Sequence, residues 1–177
     1  MAAVPFKLDG ARVRLRTFVR ADIGEEYLRW LNDKSLMRFS NQRFRNHNRA
    51  DAEAFLKDFE NSPNLFLSII RRADDSQLGT MTAYLDPDHG TADVGILIGG
   101  GDGVAGQGYG SEAWELLVSH LIARPDIRKV TCGTVASNLA MRRIAEKNDM
   151  EPDGARRAQQ LIDGKRVDVL HYARFKS

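Results

Sequence analysis

The sequence predicts an α/β fold in which a mixed central sheet is flanked by about four helices. Three features indicate this class: β-branched strands alternate with amphipathic segments, three consecutive strands are separated only by turns, and the last of them leads through a glycine-rich loop into a helix. We expect the antiparallel meander to continue into a parallel pair, because a crossover through a helix brings two strands side by side in one direction. With 177 residues, the chain fits one domain over residues 1–177.

Composition narrows the class of protein. Lys and Arg number 26 against 24 acidic residues. This net charge of +2 indicates neither a nucleic-acid partner nor an acidic one. No apolar run reaches the roughly 20 residues of a membrane span, and the start MAAVPFKLDG lacks the apolar segment of a secretory signal. Cys132 is the only cysteine, so we expect a reducing, cytoplasmic environment and no disulfide within the chain.

Periodicity places the elements of the first half. In order, they are a strand over 12–16, a helix capped by Asp22 that ends near Asn32, a helix over 48–60, and strands over 65–71 and 78–85. Val13 and Leu15 are expected to face inward, and the alternating Arg12, Arg14 and Arg16 outward. The connection 37–47 is polar and aromatic without a period of its own, which is typical of loops that bind ligands.

The second half is predicted in the same way. Its elements are a strand over 93–98, a helix over 111–123 stopped by Pro125, a strand over 129–135, a helix over 138–148, and strands over 156–162 and 166–175. The periodicity of the helix over 111–123 predicts one apolar face formed by Trp114, Leu117, Val118, Leu121 and Ile122. The last two strands are joined by Asp163-Gly164, a pair that favours a two-residue hairpin turn.

An anion-binding site is predicted where the strand 93–98 passes into the helix that begins near Ser111. Gly106, Gly108 and Gly110 alternate just ahead of this helix, so backbone N–H groups can approach a ligand without a Cβ in the way. The positive end of the helix dipole lies behind those groups. Together they favour phosphate.

The glycine loop is also compatible with two other interpretations. Gly101, Gly103 and Gly106 spell G-x-G-x-x-G, with Asp126 downstream, which resembles a dinucleotide-binding turn. That site needs its helix under way near the third glycine, whereas Gly108 and Gly110 follow here, and glycine in a first turn costs roughly 1 kcal/mol. The second alternative is a purely structural loop.

The segment AGQGYGSEA, residues 105–113, resembles the acyl-CoA loop Q/R-x-x-G-x-G/A of the GNAT N-acetyltransferase superfamily. The flanking residues look like the branch of ribosomal-protein alanine, spermidine and amino-sugar acetyltransferases. Ala105 departs from the motif, since the family has Gln or Arg there. The order of predicted elements is also that of the GNAT fold, so the resemblance covers nearly the whole chain.

The resemblance implies acetyl-CoA as cosubstrate. By it, the backbone of Ile96, Leu97 and Ile98 would pair with the pantetheine arm like an added strand. The pyrophosphate would be held by the loop residues Gly106, Gln107, Gly108, Tyr109, Gly110 and Ser111. The strands 93–98 and 129–135 are expected to part where the cofactor enters between them.

The segment 138–150 resembles the second CoA motif of the family. Asn138 would contact pantetheine, or serve only as the helix N-cap, and Arg142 and Arg143 would reach the cofactor phosphate, or form plain surface charge. Met141 and Ala145 stand where relatives carry a Ser or a Tyr near the thioester, so neither usual general acid is present. Water, Ser137 or Thr134 would then protonate the thiolate. Asp149 replaces a Gly that Asp can imitate in a left-handed cap.

Acetylation also needs a base for the amine. Asp93, which enters the cofactor strand, is the first candidate, and His47 and His89 are the next. The four His and one Cys show no ligand spacing, so we expect no metal site. Cys132 lies within a predicted strand and is a poor nucleophile candidate, which favours direct transfer in a ternary complex.

The acceptor is the most open point of the sequence. The tail 162–172 looks like that of the spermidine and amino-sugar acetyltransferases, which favours a small amine or amino sugar over a protein N-terminus. A non-catalytic acyl-CoA-binding module is a further alternative, because the usual Tyr and Ser are missing. We expect neither a nucleic-acid nor a membrane partner, and a homodimer is left open.

Overall fold

One eight-stranded sheet organises the protein in a computed structural model that describes residues 5–99, 101 and 103–177. The strand order across the sheet is β1-β2-β3-β4-β5-β6-β8-β7. The strands are β1 Lys7–Asp9, β2 Val13–Thr17, β3 Leu65–Arg71, β4 Gln77–Asp86, β5 Thr91–Ile98, β6 Lys129–Val135, β7 Glu151–Ile162 and β8 Lys165–Phe175. The α-helices are α1 Glu25–Asn32, α2 Arg49–Glu60, α3 Tyr109–Ala123 and α4 Leu139–Lys147.

The pairing of the strands confirms the predicted α/β fold with a mixed sheet. Strands β1 to β5 form an antiparallel meander, which extends the predicted three strands by two. After the crossover through α3, β6 lies parallel to β5, as expected for a strand–helix–strand unit. Strands β8 and β7 complete the sheet as an antiparallel hairpin next to β6.

Helix α3 covers one face of the sheet with the stripe that its periodicity predicts. Trp114, Leu117, Val118 and Leu121 are all fully buried in the larger core. The Trp114 indole N–H is directed at the Met150 sulfur, 3.3 Å away, which links α3 to the chain beyond α4. The inward positions Val13 and Leu15 of β2 belong to the same core, as predicted.

Helices α1 and α2 cover the opposite face with a second core that is largely aromatic. Alternation in β3 separates the two cores, since Phe66 faces the second and Leu67 the first. Phe66 stacks on Phe18 with ring centroids 4.2 Å apart. Asn48 caps α2, where its side chain accepts from the Asp51 amide at 3.0 Å, and the helix starts where the sequence predicts.

Several predicted boundaries were wrong. Asp22 does not cap α1, which begins at Glu25 after Gly24; it ends a short 3-10 turn, and its carboxylate binds Arg16 through two contacts of 2.7 Å. Strand β1 was missed because three residues are too short for a detectable alternation. Strand β7 begins at Glu151, five residues before the predicted start, and α3 begins two residues early. The turn Asp163-Gly164 has both φ angles positive, as the predicted hairpin requires.

Membrane insertion through a helix finds no support in the structure. Among the described residues, no helix combines the length and the apolar character needed to cross a bilayer.

Candidate active site

A fork between β5 and β6 forms the centre of the site. The two strands pair only from Thr91 to Asp93 on β5 and from Lys129 to Thr131 on β6, and beyond this point they separate as predicted. A cavity of about 730 Å³ opens in the fork and reaches from α4 on one face to the α1–α2 connection on the other. Its strand walls are formed by Val94, Gly95, Ile96, Leu97, Ile98, Cys132, Gly133 and Thr134.

The edge of β5 in the fork explains how a ligand could pair with this strand. Ile96, Leu97 and Ile98 are bonded to β4 on one side, while their other side lies beyond the last pair with β6. Main-chain groups on an open edge readily accept another extended chain. The three predicted cofactor residues therefore line the fork cavity with an edge of the required kind.

The glycine loop leads directly into the N-terminus of α3. Gly108 is the N-cap residue with φ 82°, a left-handed conformation that favours glycine, and Gly106 has φ 75°. The first amides of the helix, those of Tyr109, Gly110 and Ser111, have no intrahelical acceptor, and the helix dipole is positive at this end. Both features favour an anion at this end of the helix.

Gly110 has a packing role in addition. A Cβ at this position would lie 3.2 Å from Ile98 Cγ1 and 3.5 Å from Ile144 Cδ1. Glycine therefore allows the start of α3 to approach the end of β5 and α4 closely. The loop is brought next to the fork by this contact.

The structure places Asn138 at the N-terminus of α4 and on the wall of the fork cavity. Its Oδ1 accepts from the Met141 amide at 3.2 Å, so it is an N-cap, and the same residue lines the cavity. The two roles considered for Asn138 are therefore compatible.

The neighbouring arginines do not line the fork cavity. Arg142 donates from Nη1 to the Ala136 carbonyl at 3.2 Å, which fixes the turn between β6 and α4. Its buried Nε has no protein partner among the described residues. Arg143 is exposed.

Met141 and Ala145, which stand where relatives carry a Ser or a Tyr, have side chains that cannot donate a proton. Met141 lines the cavity half-buried, and Ala145 is fully buried in the core. Of the two alternative hydroxyls, Thr134 lines the cavity, whereas Ser137 is exposed on the turn before α4. Burial, with a smaller effect of the Asp93 charge, raises the pKa of the Cys132 thiol to about 12.

A second cavity of about 710 Å³ lies on the α1–α2 face and meets the first along β5. Gly95, Ile96 and Leu97 border both cavities. The aromatic rings of Tyr27, Phe55 and Phe66 line it, as do the hydroxyls of Thr80 and Thr82. Its other polar lining includes the side chains of Arg45, His47, Asp51 and Asp58. Two compartments of this size, joined at one strand, can hold two small substrates next to each other.

His47 is held rigidly on the wall of the second cavity. Its backbone N–H donates to Asn32 Oδ1 at 2.8 Å, and its carbonyl accepts from Asn32 Nδ2 at 2.8 Å. The ring Nε2 lies 3.2 Å from the Gln42 carbonyl oxygen. Since a carbonyl only accepts, this contact requires a proton on Nε2 and leaves the Nδ1 lone pair of the neutral ring free to accept.

The other two candidate bases lie elsewhere. Asp93 is exposed at the base of the fork, lines neither cavity, and accepts from the Thr131 hydroxyl at 2.6 Å. His89 is exposed in the turn between β4 and β5, at the other end of β5 from the glycine loop. Of the three candidates, the structure brings only His47 to a cavity wall.

The dinucleotide interpretation does not fit the geometry. Helix α3 starts three residues after Gly106, and Asp126 lies in the loop that follows this helix, paired with Arg124 at 2.6 Å. It therefore does not end a strand, as the ribose contact of that site requires. Among the described residues, no group of His, Cys, Asp and Glu has the arrangement of a metal site.

The fork, the open edge of β5 and the helix N-terminus define an acyltransferase that uses acetyl-CoA. A family model described as the acetyltransferase (GNAT) domain matches residues 12–151. The chain therefore belongs to the GNAT acetyltransferase family. No curated protein matches the sequence significantly.

Solved structures share the fold. A GNAT-family acetyltransferase from Bacillus anthracis superposes with a TM-score of 0.81 at 16% identity, covering 97% of this chain and 99% of its own. The ribosomal L7/L12 alpha-N-protein acetyltransferase RimL, in complex with coenzyme A, gives a TM-score of 0.80 at 17% identity, covering 94% and 95%. The microcin C7 self-immunity acetyltransferase MccE, in complex with acetyl-CoA and AMP, gives 0.79 at 17% identity, covering 94% and 93%.

Proposed function

We propose that this acetyltransferase transfers the acetyl group of acetyl-CoA to a primary amine of a small molecule or amino sugar, directly within a ternary complex. The observation that carries the proposal is the junction of the two cavities at Gly95, Ile96 and Leu97. A thioester held in the fork would present its carbonyl carbon at this strand. An amine in the second cavity would then approach it from the other side.

The donor would be held mainly by backbone groups. The pantetheine arm would pair with Ile96, Leu97 and Ile98, and the amide of Asn138 would add a side-chain contact. The pyrophosphate would lie against the loop from Gly106 to Ser111, where the helix dipole favours negative charge. Arg142 and Arg143, in the first turns of α4, would add positive charge for the phosphates.

The second cavity, which we call the acceptor cavity, has charges that suit a small charged amine. Asp51 and Asp58 are seven residues apart on α2, so they lie on one face about 10.5 Å apart along the axis and would attract an ammonium group. Arg45 borders the same cavity and would receive a carboxylate or phosphate of the acceptor. A nucleotide-linked amino sugar or an amino acid derivative carries both charges.

We assign proton acceptance to His47 rather than to Asp93. As the amine nitrogen attacks the carbonyl carbon, a C–N bond forms, the C–S bond breaks, and His47 Nδ1 takes the amine proton. The leaving thiolate of CoA is stable enough to depart largely unaided and gains its proton from water or from Thr134, which borders the fork. Binding of the two substrates in the two cavities that β5 borders would supply the proximity that the reaction needs.

A protein N-terminus is the alternative acceptor. It is favoured by the similarity to RimL, which is described as an alpha-N-protein acetyltransferase of ribosomal L7/L12. An extended N-terminus would enter the same cavity and present its α-amine at Gly95. The missing Tyr and Ser at 145 and 141 keep a non-catalytic acyl-CoA-binding module as the third candidate.

Thiol release from acetyl-CoA with a panel of acceptors tests the proposal. The panel contains polyamines, amino sugars, nucleotide amino sugars, amino acids and a peptide with a free N-terminus. We expect turnover with a small amine, and Arg45→Ala should raise the KM of an anionic acceptor while sparing an uncharged one. Turnover with the peptide alone would transfer the assignment to a protein acceptor. Binding of acetyl-CoA without any turnover would support the binding module.

A ligand-stability measurement controls for the identity of the donor. Acetyl-CoA at about 100 times its Kd should stabilise the folded protein by roughly 2.7 kcal/mol, and NAD should not. No shift with any CoA ester would contradict the donor assignment.

A further inference from the structure

We infer that Arg12 is a positioning residue for the donor: it holds the glycine loop in its phosphate-binding shape and brings positive charge to it. The inference rests on the proposed role of the loop from Gly106 to Ser111. Arg12 immediately precedes β2 and is separated from the loop by about ninety-five residues of sequence. The sequence predicts it only as an outward arginine of the first strand.

Three contacts bind the Arg12 side chain to the loop and the first turn of α3. Its Nη1 donates to the Gln107 carbonyl at 2.8 Å, and its Nε donates to Glu112 Oε2 at 2.9 Å. The guanidinium carbon lies 4.9 Å from the centre of the Tyr109 ring, within cation–π range. The guanidinium thus contacts Gln107 before the N-cap, Tyr109 at the first helical position and Glu112 at the end of the first turn.

Glu112 is the other half of this arrangement. Its Oε1 accepts from the backbone amides of Arg12 at 2.7 Å and of Val13 at 3.2 Å, which anchors α3 to the start of β2. Burial alone would raise the pKa of Glu112, but the bonds from these amides and from the guanidinium outweigh it and lower the pKa below its ordinary value. Glu112 therefore stays ionised and keeps the Arg12 guanidinium oriented.

Gly108 lies directly beside the guanidinium. A Cβ on Gly108 would be 3.3 Å from Arg12 Nη2, so this nitrogen is next to the N-cap of α3. Among the described residues, Nη2 has no hydrogen-bond acceptor, unlike Nε and Nη1. A fixed cation at this place, half-exposed to solvent, complements a phosphate at the helix N-terminus.

A merely structural ion pair would have the same contacts, so the test must separate the parts of the donor. Acetyl-CoA contains the pyrophosphate, whereas acetyl-pantetheine contains the thioester and the arm that follows β5 but no phosphate. The Kd of each ligand is measured by calorimetry without an acceptor, for the wild type, Arg12→Ala and Arg12→Lys. Arg14→Ala is the matched control, because Arg14 lies two residues away and pairs with Asp9 and Asp75.

We expect Arg12→Ala to weaken acetyl-CoA binding about tenfold to a hundredfold and to leave acetyl-pantetheine binding unchanged, since the lost contacts are charge-assisted. Arg12→Lys should weaken acetyl-CoA binding less and again spare acetyl-pantetheine, because lysine keeps the charge without the planar guanidinium. If Arg12→Ala does not fold, the Kd values of Arg12→Lys for the two ligands test the inference instead. Arg14→Ala should match the wild type with both ligands.

The outcomes distinguish the inference from the site on which it rests. If wild type binds both ligands equally, the loop does not hold the pyrophosphate, and the proposed donor site is wrong. If wild type prefers acetyl-CoA strongly and folded Arg12 variants keep the whole preference, the inference about Arg12 is wrong. Equal weakening of both ligands would also overturn it, since that result shows only a general loss of structure.

Discussion

Asp93 and Thr131 form the last pair of residues that joins β5 to β6, and the Thr131 hydroxyl donates to Asp93 Oδ1 over 2.6 Å. The sheet opens immediately beyond this pair. A carboxylate engaged at the vertex of the fork stabilises the point where the two strands part. This position explains why Asp93 is exposed at the base of the cavity and not on its wall.

The glycine loop provides the first prediction, a comparison between Gly108→Val and Gly164→Val. Both glycines are exposed with left-handed φ angles, 82° and 76°, so each valine should cost roughly 1–2 kcal/mol of stability. Only the valine at position 108 would stand where phosphate meets the helix N-terminus and displace Arg12. We therefore expect Gly108→Val alone to lose acetyl-CoA binding in calorimetry. Equal, normal binding by both variants would show that the loop is structural.

The second prediction concerns acid stability and Asp22. Burial would raise the pKa of this carboxyl, but the bonds from Arg16, the Val19 amide and Ser68 outweigh it and lower the pKa. A lowered folded-state pKa gives stability that is present above the unfolded value near ~3.9 and is lost as the pH falls through the folded value. Asp22→Asn should therefore cost about 1–3 kcal/mol at neutral pH, and the difference from wild type should shrink below about pH 4.

Urea denaturation over this pH range measures the effect of Asp22. Asp126→Asn is the control, because Asp126 pairs with Arg124 at a similar distance but is half-exposed. It should change stability little at any pH, as expected for a surface pair. A constant difference between Asp22→Asn and wild type from neutral pH to about pH 3 would contradict the assigned pKa shift.

The third prediction is that transfer is direct and does not pass through an acetyl-enzyme on Cys132. Because burial raises the pKa of this thiol to about 12, almost no thiolate is present at neutral pH. Iodoacetamide should leave the folded protein unlabelled and should label it in urea. Intact mass after incubation with acetyl-CoA should show no acetyl-enzyme. An adduct that disappears when an amine is added would instead indicate a covalent route.

Local patterns were sufficient for most of the fold. The buried stripe of α3, the boundaries of β3 and β6 and the start of α2 near Asn48 depend on residues close by in the sequence, and the sequence predicts them correctly. The fork was expected because of the resemblance to the family and because a cofactor must enter between β5 and β6. Asp22 was misassigned because a carboxylate before a helix looks like a cap, whereas its actual partner, Arg16, lies on a strand.

The parts of the site that escaped prediction depend on distant pairs. Arg12 and Glu112 are a hundred positions apart, and nothing in either local pattern announces their contact. His47 was predicted only as one of two loop histidines that could act as the base, and its contacts with Asn32 and Gln42, which fix its backbone and ring, distinguish it from His89. Such residues become recognisable only when the fold brings their partners together.

The last prediction decides the base, by comparing His47→Gln, Asp93→Asn and His89→Gln. His47 lines the second cavity, which Gly95, Ile96 and Leu97 also border, so under the proposed role His47→Gln should lower kcat roughly 10²–10⁴-fold with little change in the Kd of acetyl-CoA. Asp93 binds Thr131 outside both cavities, and His89 lies at the far end of β5, so both variants should retain turnover close to wild type. A large loss in Asp93→Asn with an unaffected His47→Gln would return the role to Asp93, acting through a water at the vertex of the fork.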